Sequence, residues 1–456
     1  MIPTPICDFV RRYAEGRPAR LHMPGHKGRG PLGFERLDIT EIDGADNLYA
    51  PEGIIAESEA NASRLFGART FYSAEGSSLA IRAMLALALP PRSSGERPVV
   101  LAGRNAHRAF LSAAALLDFD VEWLHPAPGD AYHSCTVAPE QVDAALARLG
   151  GRCAAVYLTS PDYLGHLADI AAIAAVCRRR GVPLLVDNAH GAYLRFLFPS
   201  LHPMDLGADM CCNSAHKTLP AVTGAAYLHL RRGLPVEDRR VKEMLALFGS
   251  SSPSYLILQS LAACNPCLED LPGLLADFLP KLEALKRRLA GLGWVLVGDE
   301  PMKLTLAVRA SGLTGDGVAR RLMDAGVYCE FHDPDFVTLM ATPWNDDADL
   351  RRLEAVLTDL ARPKSVDENI DGAVRPSLPR EAAPAYRAPR TAMTVREAAF
   401  APRETLPARE CAGRVLAAPA LSCPPCVPIA VCGEVIDESV LQRLRYYGIE
   451  TCDVVK

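Results

Sequence analysis

A lysine in a turn of small residues is the strongest sign of chemistry in this sequence. Lys217 lies in the segment Ser214-Ala215-His216-Lys217-Thr218, downstream of Asp187, which ends an apolar run. A desolvated lysine loses its proton readily and can bond covalently to an aldehyde. A carboxylate can hold a pyridine nitrogen protonated. The pair therefore indicates pyridoxal 5'-phosphate (PLP) chemistry, with Lys217 as the attachment site and Asp187 as the partner of the ring nitrogen. An aspartate that only caps the following turn is the alternative.

A Gly-Ser-Ser run predicts the phosphate site of such a cofactor. Gly76, Ser77 and Ser78 precede an apolar helix predicted over residues 79–89. Free backbone N–H groups and the dipole of a helix N-terminus bind phosphate. An ordinary N-cap formed by Ser77 or Ser78 is the alternative. A second hydroxyl-rich segment, residues 248–255, completes the phosphate site from a neighbouring subunit or simply begins a helix.

Histidines and a serine flank these positions. His107 follows a predicted strand and suits stacking on the cofactor ring, with an ordinary surface histidine as the alternative. His190 is predicted to support the site or to face the substrate. Ser214 and His216 stand either side of Ala215, so one can contact the phosphate and the other the substrate.

Composition narrows the class of protein. The chain has 456 residues and a net charge of −5, with no block of like charge, so no nucleic-acid partner is expected. The apolar run 79–91 is too short to span a bilayer, and residues 1–8 lack the pattern of a signal peptide, so we expect a cytoplasmic protein without a membrane segment. Its 14 cysteines are then free thiols. Cys423 and Cys426 form a CxxC without a second ligand pair, so we predict no metal site, with a redox or metal role as the alternative.

The elements that must position these residues alternate between strand and helix. Such alternation over about 56–265 predicts a mostly parallel sheet covered by helices, with ligands at the carboxyl ends of its strands. The predicted strands are 99–102, 154–158, 183–187, 210–212 and 224–230, followed by 294–297, 303–308, 327–331 and 336–340 in a smaller α+β unit. The predicted division is an N-terminal arm (1–55), a PLP-binding large domain (56–270), a small α+β domain (271–362), a linker (363–392) and a C-terminal decarboxylase-type domain (393–456).

Ten segments, in order, resemble the Orn/Lys/Arg decarboxylase family of fold-type-I PLP enzymes, in the short form without an N-terminal wing domain. They are residues 23–27, 48–53, 66–68, 76–78, 104–107, 161–165, 187–191, 214–219, 250–255 and 432–434. The sequence departs from the family pattern at several positions, which are Arg108, Asp162, Asn188, the segment 423–426 and Cys432. The departures lie outside the predicted cofactor contacts, so the identity of the substrate is left open.

The resemblance implies a role for each candidate residue. Lys217 carries PLP, Asp187 binds the ring nitrogen, and His107 stacks on the ring. The phosphate is bound by Ser77, Ser78 and Ser214, with Ser251 or Ser252 of the partner in a homodimer or larger assembly whose active site lies at the interface. The implied reaction is α-decarboxylation of arginine, lysine or ornithine, with Lys217 or His216 returning a proton to Cα. Glu434 is the implied partner of the distal cation, and Asp162 and Glu330 are the alternatives.

Two other functions remain possible on the sequence. Another fold-type-I PLP enzyme, an aminotransferase or a carbon–carbon lyase, has the same cofactor site. A non-catalytic regulatory relative is the second, and the retained Lys217 and Asp187 argue against it.

Overall fold

A seven-stranded sheet forms the centre of the protein. The computed structural model describes residues 2–91, 97–127, 131–361, 383–418 and 427–456. The strands of the sheet are β1 (Arg69–Ser73), β2 (Val99–Gly103), β3 (Asp120–Leu124), β4 (Cys153–Thr159), β5 (Leu184–Asp187), β6 (Met210–Asn213) and β7 (Ala226–Leu230). Their order is β1-β7-β6-β5-β4-β2-β3. Strands β2 to β6 run parallel, and β7 is antiparallel to both β6 and β1.

This architecture confirms the predicted mostly parallel α/β fold. The strands are apolar on both faces because helices cover both sides. Val100 and Ala102 pack in one core with helices on one face, whereas Val99 and Leu101 pack in a second core on the other. Strands β1 and β3 were missed. In β3 four of the five residues are only half-buried, so the apolar signal of a central strand is absent.

Helices before, between and after these strands cover the sheet. They are α1 (Pro5–Glu15), α2 (Ile54–Phe66), α3 (Gly76–Ala88), α4 (Arg108–Leu117), α5 (Pro139–Leu149), α6 (Ile170–Arg180), α7 (Ala215–Thr218) and α8 (Asp238–Phe248). Between α1 and α2 the chain is largely irregular, and Ile6, Val10 and Ile39 pack into the core that α2 helps to form. The N-terminal arm thus contributes to the core of the large domain.

A long helix joins the large sheet to the small domain. Helix α9 (Tyr255–Gly291) has 37 residues and runs through the predicted domain boundary at 270/271. Leu258 to Leu275 pack in the core of the large domain, and Phe278 to Leu289 pack in the core of the small one. Among the described residues, neither α9 nor any other helix has the length and apolarity needed to cross a membrane.

The small domain is a four-stranded sheet with two helices. Its further elements are β8 (Leu296–Val297), β9 (Lys303–Ala307), α10 (Gly315–Asp324), β10 (Phe331–His332), β11 (Phe336–Met340) and α11 (Asp347–Ala361), with the sheet order β10-β11-β9-β8. The predicted strand over 327–331 is wrong except for Phe331. Tyr328 is 78% exposed and Glu330 is exposed, so this segment has no buried face to hold against a sheet.

The C-terminal unit has its own apolar core. It contains α12 (Val395–Phe400), β12 (Arg403–Pro407), α13 (Glu438–Tyr446) and β13 (Thr451–Val455), and β12 pairs antiparallel with β13. The predicted linker lies largely outside the described residues, as do Cys423 and Cys426. The 12 cysteines within the described residues are free thiols.

Candidate active site

The predicted catalytic residues meet at the carboxyl edge of the parallel strands. Asp187 is the last residue of β5 and pairs in register with Cys212 of the neighbouring strand β6. The chain leaving β6 turns directly into the short helix α7, which carries Lys217. His107 follows β2 on the same edge, and its pKa responds to the charges of both Asp187 and Lys217. The topology therefore brings together residues far apart in sequence.

Asp187 is buried, 2% exposed, and well supplied with hydrogen bonds. Tyr157 Oη donates to its Oδ2 at 3.1 Å, and the Ala189 N–H donates to its Oδ1 at 3.2 Å. The thiol of Cys212 lies 3.5 Å from the same Oδ1. A carboxylate accepts about four hydrogen bonds, so capacity is left for a pyridinium N–H. Oδ1 of Asp187 caps the following turn, as in the alternative interpretation, whereas Oδ2 faces Tyr157.

Lys217 contacts a neutral histidine. Its Nζ lies 2.9 Å from Nε2 of His190. Burial, helped by the positive charge of Lys217, lowers the pKa of His190 well below its usual value. At Nε2, the neutral His190 accepts a hydrogen bond from the amine of Lys217. The proton of the His190 ring is therefore on Nδ1. This Nδ1 has no hydrogen-bond partner among the described residues. Tyr163 packs edge-on against the His190 ring with centroids 5.2 Å apart.

His107 and His216 are both oriented by the backbone. His107 caps helix α4, since its Nδ1 accepts from the Ala109 N–H at 3.1 Å. Burial lowers the pKa of His107 to about 4, so its imidazole is neutral near pH 7. His216 Nδ1 lies 3.1 Å from the Ala225 carbonyl, to which it donates. Burial lowers the pKa of His216, and its Nε2 is the nitrogen left to exchange a proton.

The predicted phosphate site is the N-terminus of α3. The helix begins at Gly76, whose φ of +71° lies in the left-handed region that favours glycine. Glu75 is the N-cap residue, and no side chain caps the helix, so the alternative of a Ser77 or Ser78 cap is wrong. Ser214 Oγ lies 2.8 Å from Ser77 Oγ, which joins the Lys217 turn to this helix end.

The structure separates the three carboxylates considered for the substrate. Asp162 is 3% exposed and accepts from Ser134 Oγ at 2.6 Å, His166 Nδ1 at 3.0 Å and two backbone N–H groups. Burial alone would raise the pKa of Asp162, but these bonds outweigh burial and lower the pKa. Its carboxylate is bonded within its own loop, and the substrate role of Asp162 stays a prediction.

Glu434 is likewise not available. It is 1% exposed, its Oε2 lies 2.9 Å from Arg104 Nη2, and the same oxygen accepts from the Val431 N–H at 2.8 Å. Arg104 also donates to the Pro428 carbonyl at 3.1 Å. The ion pair therefore fastens the C-terminal unit to the chain after β2. In the sequence alone, a charged residue in a family segment looks the same whether its partner is a ligand or an arginine.

Ser251 and Ser252 stay a prediction. Both are exposed, in the segment between α8 and α9. Neighbouring Ser250 donates its backbone N–H to Glu75 Oε1 at 2.5 Å, which places this segment beside the start of α3 in the same chain.

Two site residues escaped the sequence interpretation. Tyr157 binds Asp187 from the adjacent strand, a contact that depends on strand register and leaves no local signal. Lys303 is 4% exposed, and its Nζ donates to the Asp162 carbonyl at 2.7 Å. Burial lowers the pKa of Lys303 to about 8, and the positive charge of Lys217 adds to this shift. A lysine opening an apolar strand was a visible signal for this residue.

These residues fit PLP. An uncapped helix N-terminus with serines suits the phosphate, and the remaining capacity of Asp187 suits the ring nitrogen. The buried Nδ1 of His190 is a donor that finds no acceptor within the described part of the chain. Gly76, Ser77, Ser78 and Ser214 would hold the phosphate, His107 the ring face, and Lys217 the aldehyde carbon.

Solved structures identify the fold class. The chain superposes on the lysine decarboxylase LdcF of Francisella novicida with a TM-score of 0.81, 16% identity and coverage of 100% of this chain and 81% of that one. The constitutive lysine decarboxylase of E. coli gives a TM-score of 0.78 and 18% identity, covering 100% and 82%. A serine palmitoyltransferase of Sphingomonas wittichii gives a TM-score of 0.55 over 77% of this chain. The fold is that of the fold-type-I PLP enzymes.

Sequence comparison then gives the family. Residues 4–290 match the Orn/Lys/Arg decarboxylase family, major domain. An arginine decarboxylase of Bacillus subtilis (strain 168) is 31% identical, covering 95% of this chain and 91% of that relative. An arginine decarboxylase of Halalkalibacterium halodurans is 30% identical, covering 97% and 93%. The chain belongs to the Orn/Lys/Arg decarboxylase family and is a PLP-dependent amino acid decarboxylase.

Proposed function

We propose that this enzyme removes the α-carboxyl group of a basic amino acid, with arginine as the first candidate, and releases the corresponding amine and CO2. The observation that carries the proposal is the contact of Lys217 Nζ with a neutral His190 at 2.9 Å, on the strand edge that also holds Asp187. The arginine decarboxylases that are 31% and 30% identical support arginine over lysine and ornithine.

The roles of the residues follow from their protonation. Lys217, held beside a histidine that accepts from it, is positioned to lose a proton and to bond to the cofactor. When PLP is bound, its ring takes up the electron pair that stays at Cα as CO2 leaves. Asp187 would hold the ring nitrogen protonated, and the bonds from Tyr157 and Ala189 fix the direction of its carboxylate.

A proton must then return to Cα. Lys217 and His216 are adjacent in sequence on α7, and both are only partly buried. His216 donates through Nδ1 to the Ala225 carbonyl, which leaves Nε2 to carry a proton toward the site. Burial lowers the pKa of His216, which makes its protonated form rarer but a stronger acid, so transfer to Cα would pass through a short-lived imidazolium that gives up its Nε2 proton.

We also propose that the enzyme is a cytoplasmic homodimer or a larger assembly, in which Ser251 and Ser252 bind the phosphate of the neighbouring copy. Both serines are exposed in the single chain, which supports this role, because exposed hydroxyls can meet a partner surface. Light scattering tests the assembly: a particle of a single 49.1 kDa chain would contradict it.

The reaction is tested with the purified protein and PLP. Arginine, lysine and ornithine labelled at the carboxyl carbon are supplied separately, and labelled CO2 and the amine product are measured. We expect CO2 from arginine in excess over the other two and no dependence on an added keto acid. Turnover only with a keto acid would indicate an aminotransferase, and no CO2 from any of the three would overturn the proposal.

A further inference from the structure

Two of the three candidate carboxylates already have their charge compensated inside the protein. Asp162 is bonded to His166 and Ser134, and Glu434 is paired with Arg104. Binding a substrate cation at either one would require breaking these bonds in a buried place. A buried charge that loses its partner is strongly destabilising, so neither carboxylate is suited to exchange partners in every catalytic cycle.

Glu330 differs from both because it lies at the surface of the small domain. Its backbone N–H donates to the Thr338 carbonyl of β11 at 3.0 Å, which anchors the residue to the sheet. Tyr163 Oη donates to its Oε1 at 3.0 Å. The side chain is exposed, so its carboxylate is held in direction by one neutral donor while it still faces solvent.

The same tyrosine connects Glu330 to the reaction centre. The ring of Tyr163 packs against His190 with centroids 5.2 Å apart, and His190 contacts Lys217 Nζ at 2.9 Å. Burial lowers the pKa of His216 and of Lys303, and the negative charge of Glu330 opposes this shift at both residues. Glu330 is therefore an exposed anion joined through Tyr163 and His190 to Lys217.

We propose that Glu330, oriented by Tyr163, binds the distal cation of the substrate and sets the preference of this enzyme for a basic amino acid. The assignment rests on the proposed decarboxylation. It names the specificity residue, which lies on the small domain and not at Asp162 or Glu434.

The chemistry of the carboxylate suits a guanidinium group. Tyr163 takes one lone pair of Oε1, and an arginine side chain presents parallel N–H donors that match the two oxygens of a carboxylate. A substrate with a neutral side chain of the same length would cover Glu330 without providing a positive charge to pair with its carboxylate. The enzyme is therefore expected to favour arginine over citrulline, which has the same shape without the charge.

The test compares Glu330→Gln with a matched control. Asp347→Asn removes one negative charge from the same domain, at an exposed surface pair with Lys281. For Glu330→Gln we expect kcat/KM for arginine to fall about 10- to 100-fold, mainly through KM, as for a lost charged hydrogen bond. Asp347→Asn should leave both constants unchanged, and circular dichroism checks that both variants are folded.

Selectivity and binding give further measurements. The ratio of kcat/KM for arginine to that for citrulline should shrink by about the same factor in Glu330→Gln. Calorimetric binding of agmatine, the amine product from arginine, should weaken in parallel without any turnover. If the wild type decarboxylates arginine but Glu330→Gln keeps the KM, the selectivity and the agmatine affinity, Glu330 is not the specificity residue and the proposed function stands. If the wild type releases no CO2 from basic amino acids, both proposals fall.

Discussion

Two clusters of charge lie beyond the carboxyl ends of parallel strands of the same sheet, and they are used differently. Beyond β5 and β6, Asp187 keeps hydrogen-bonding capacity for a ligand, and Lys217 contacts the neutral His190. Beyond β2, Arg104 and Glu434 satisfy each other at 2.9 Å and hold the C-terminal unit in place. Both clusters belong to segments typical of the family. The difference teaches that a charge serves chemistry where its partner is incomplete, and serves architecture where its partner is complete.

The largest effect should come from Lys217. Replacing it with alanine removes the covalent attachment, so we expect activity to fall at least about 10³-fold. The free energy of unfolding should change by less than about 1 kcal/mol, since the lysine is only partly buried. Steady-state CO2 release measures the activity, the visible absorbance of bound PLP measures the covalent attachment, and urea unfolding measures the free energy of unfolding. A loss of stability well above this value would show that Lys217 also stabilises the fold.

The Arg104–Glu434 pair should behave in the opposite way. Glu434→Gln leaves a buried guanidinium without its anion, and breaking such a pair costs about 3–5 kcal/mol. We expect a lower midpoint of thermal unfolding, with kcat/KM for arginine retained at temperatures where the variant is folded. The control is Glu410→Gln, an exposed residue of the same unit. A raised KM without lost stability would restore Glu434 as a substrate-binding residue.

Acid should lower the stability of the fold through its buried histidines. Burial lowers the pKa of His202 to about 4 from 6.5, so the unfolded chain binds more protons between these values and stability falls as pH drops from 6.5 toward 4. Asp333, whose pKa burial raises to about 7, works in the other direction, but it is outnumbered by buried histidines such as His107 and His229.

Urea unfolding of the apo-protein at pH 7 and pH 5 measures this loss. His202→Gln should reduce it by roughly 1–2 kcal/mol, whereas His332→Gln, at a half-exposed position, should not. An equal loss in the wild type and in His202→Gln would mean that His202 does not contribute to the acid sensitivity.

The sequence allowed the fold and the cofactor side of the site to be predicted because their signals are local. Apolar strands ending in Asp187 or leading to Lys217 follow from a few consecutive residues, and helix α4 was predicted with its observed bounds, Arg108 to Leu117. The helix after Gly76 was predicted over 79–89 and spans Gly76–Ala88, so its start lies three residues earlier than predicted.

The substrate side could not be predicted because it depends on contacts between distant elements. Whether Asp162, Glu434 or Glu330 is free depends on His166, Arg104 and Tyr163, and only the three-dimensional packing shows which of these are ion pairs. The register that sets Tyr157 against Asp187 is equally invisible in one sequence.

Helix α9 connects the small domain, which carries Glu330, directly to the large domain, which carries Lys217. One continuous helix belongs to two cores, and the change from one to the other falls between Leu275 and Phe278. Pro280 lies just beyond this change and has no N–H for the Ala276 carbonyl, as Pro266 and Pro272 interrupt the same helix earlier. The position of the small domain at the end of this helix sets the distance between Glu330 and Lys217, and with it the length of the substrate side chain that can span the two residues.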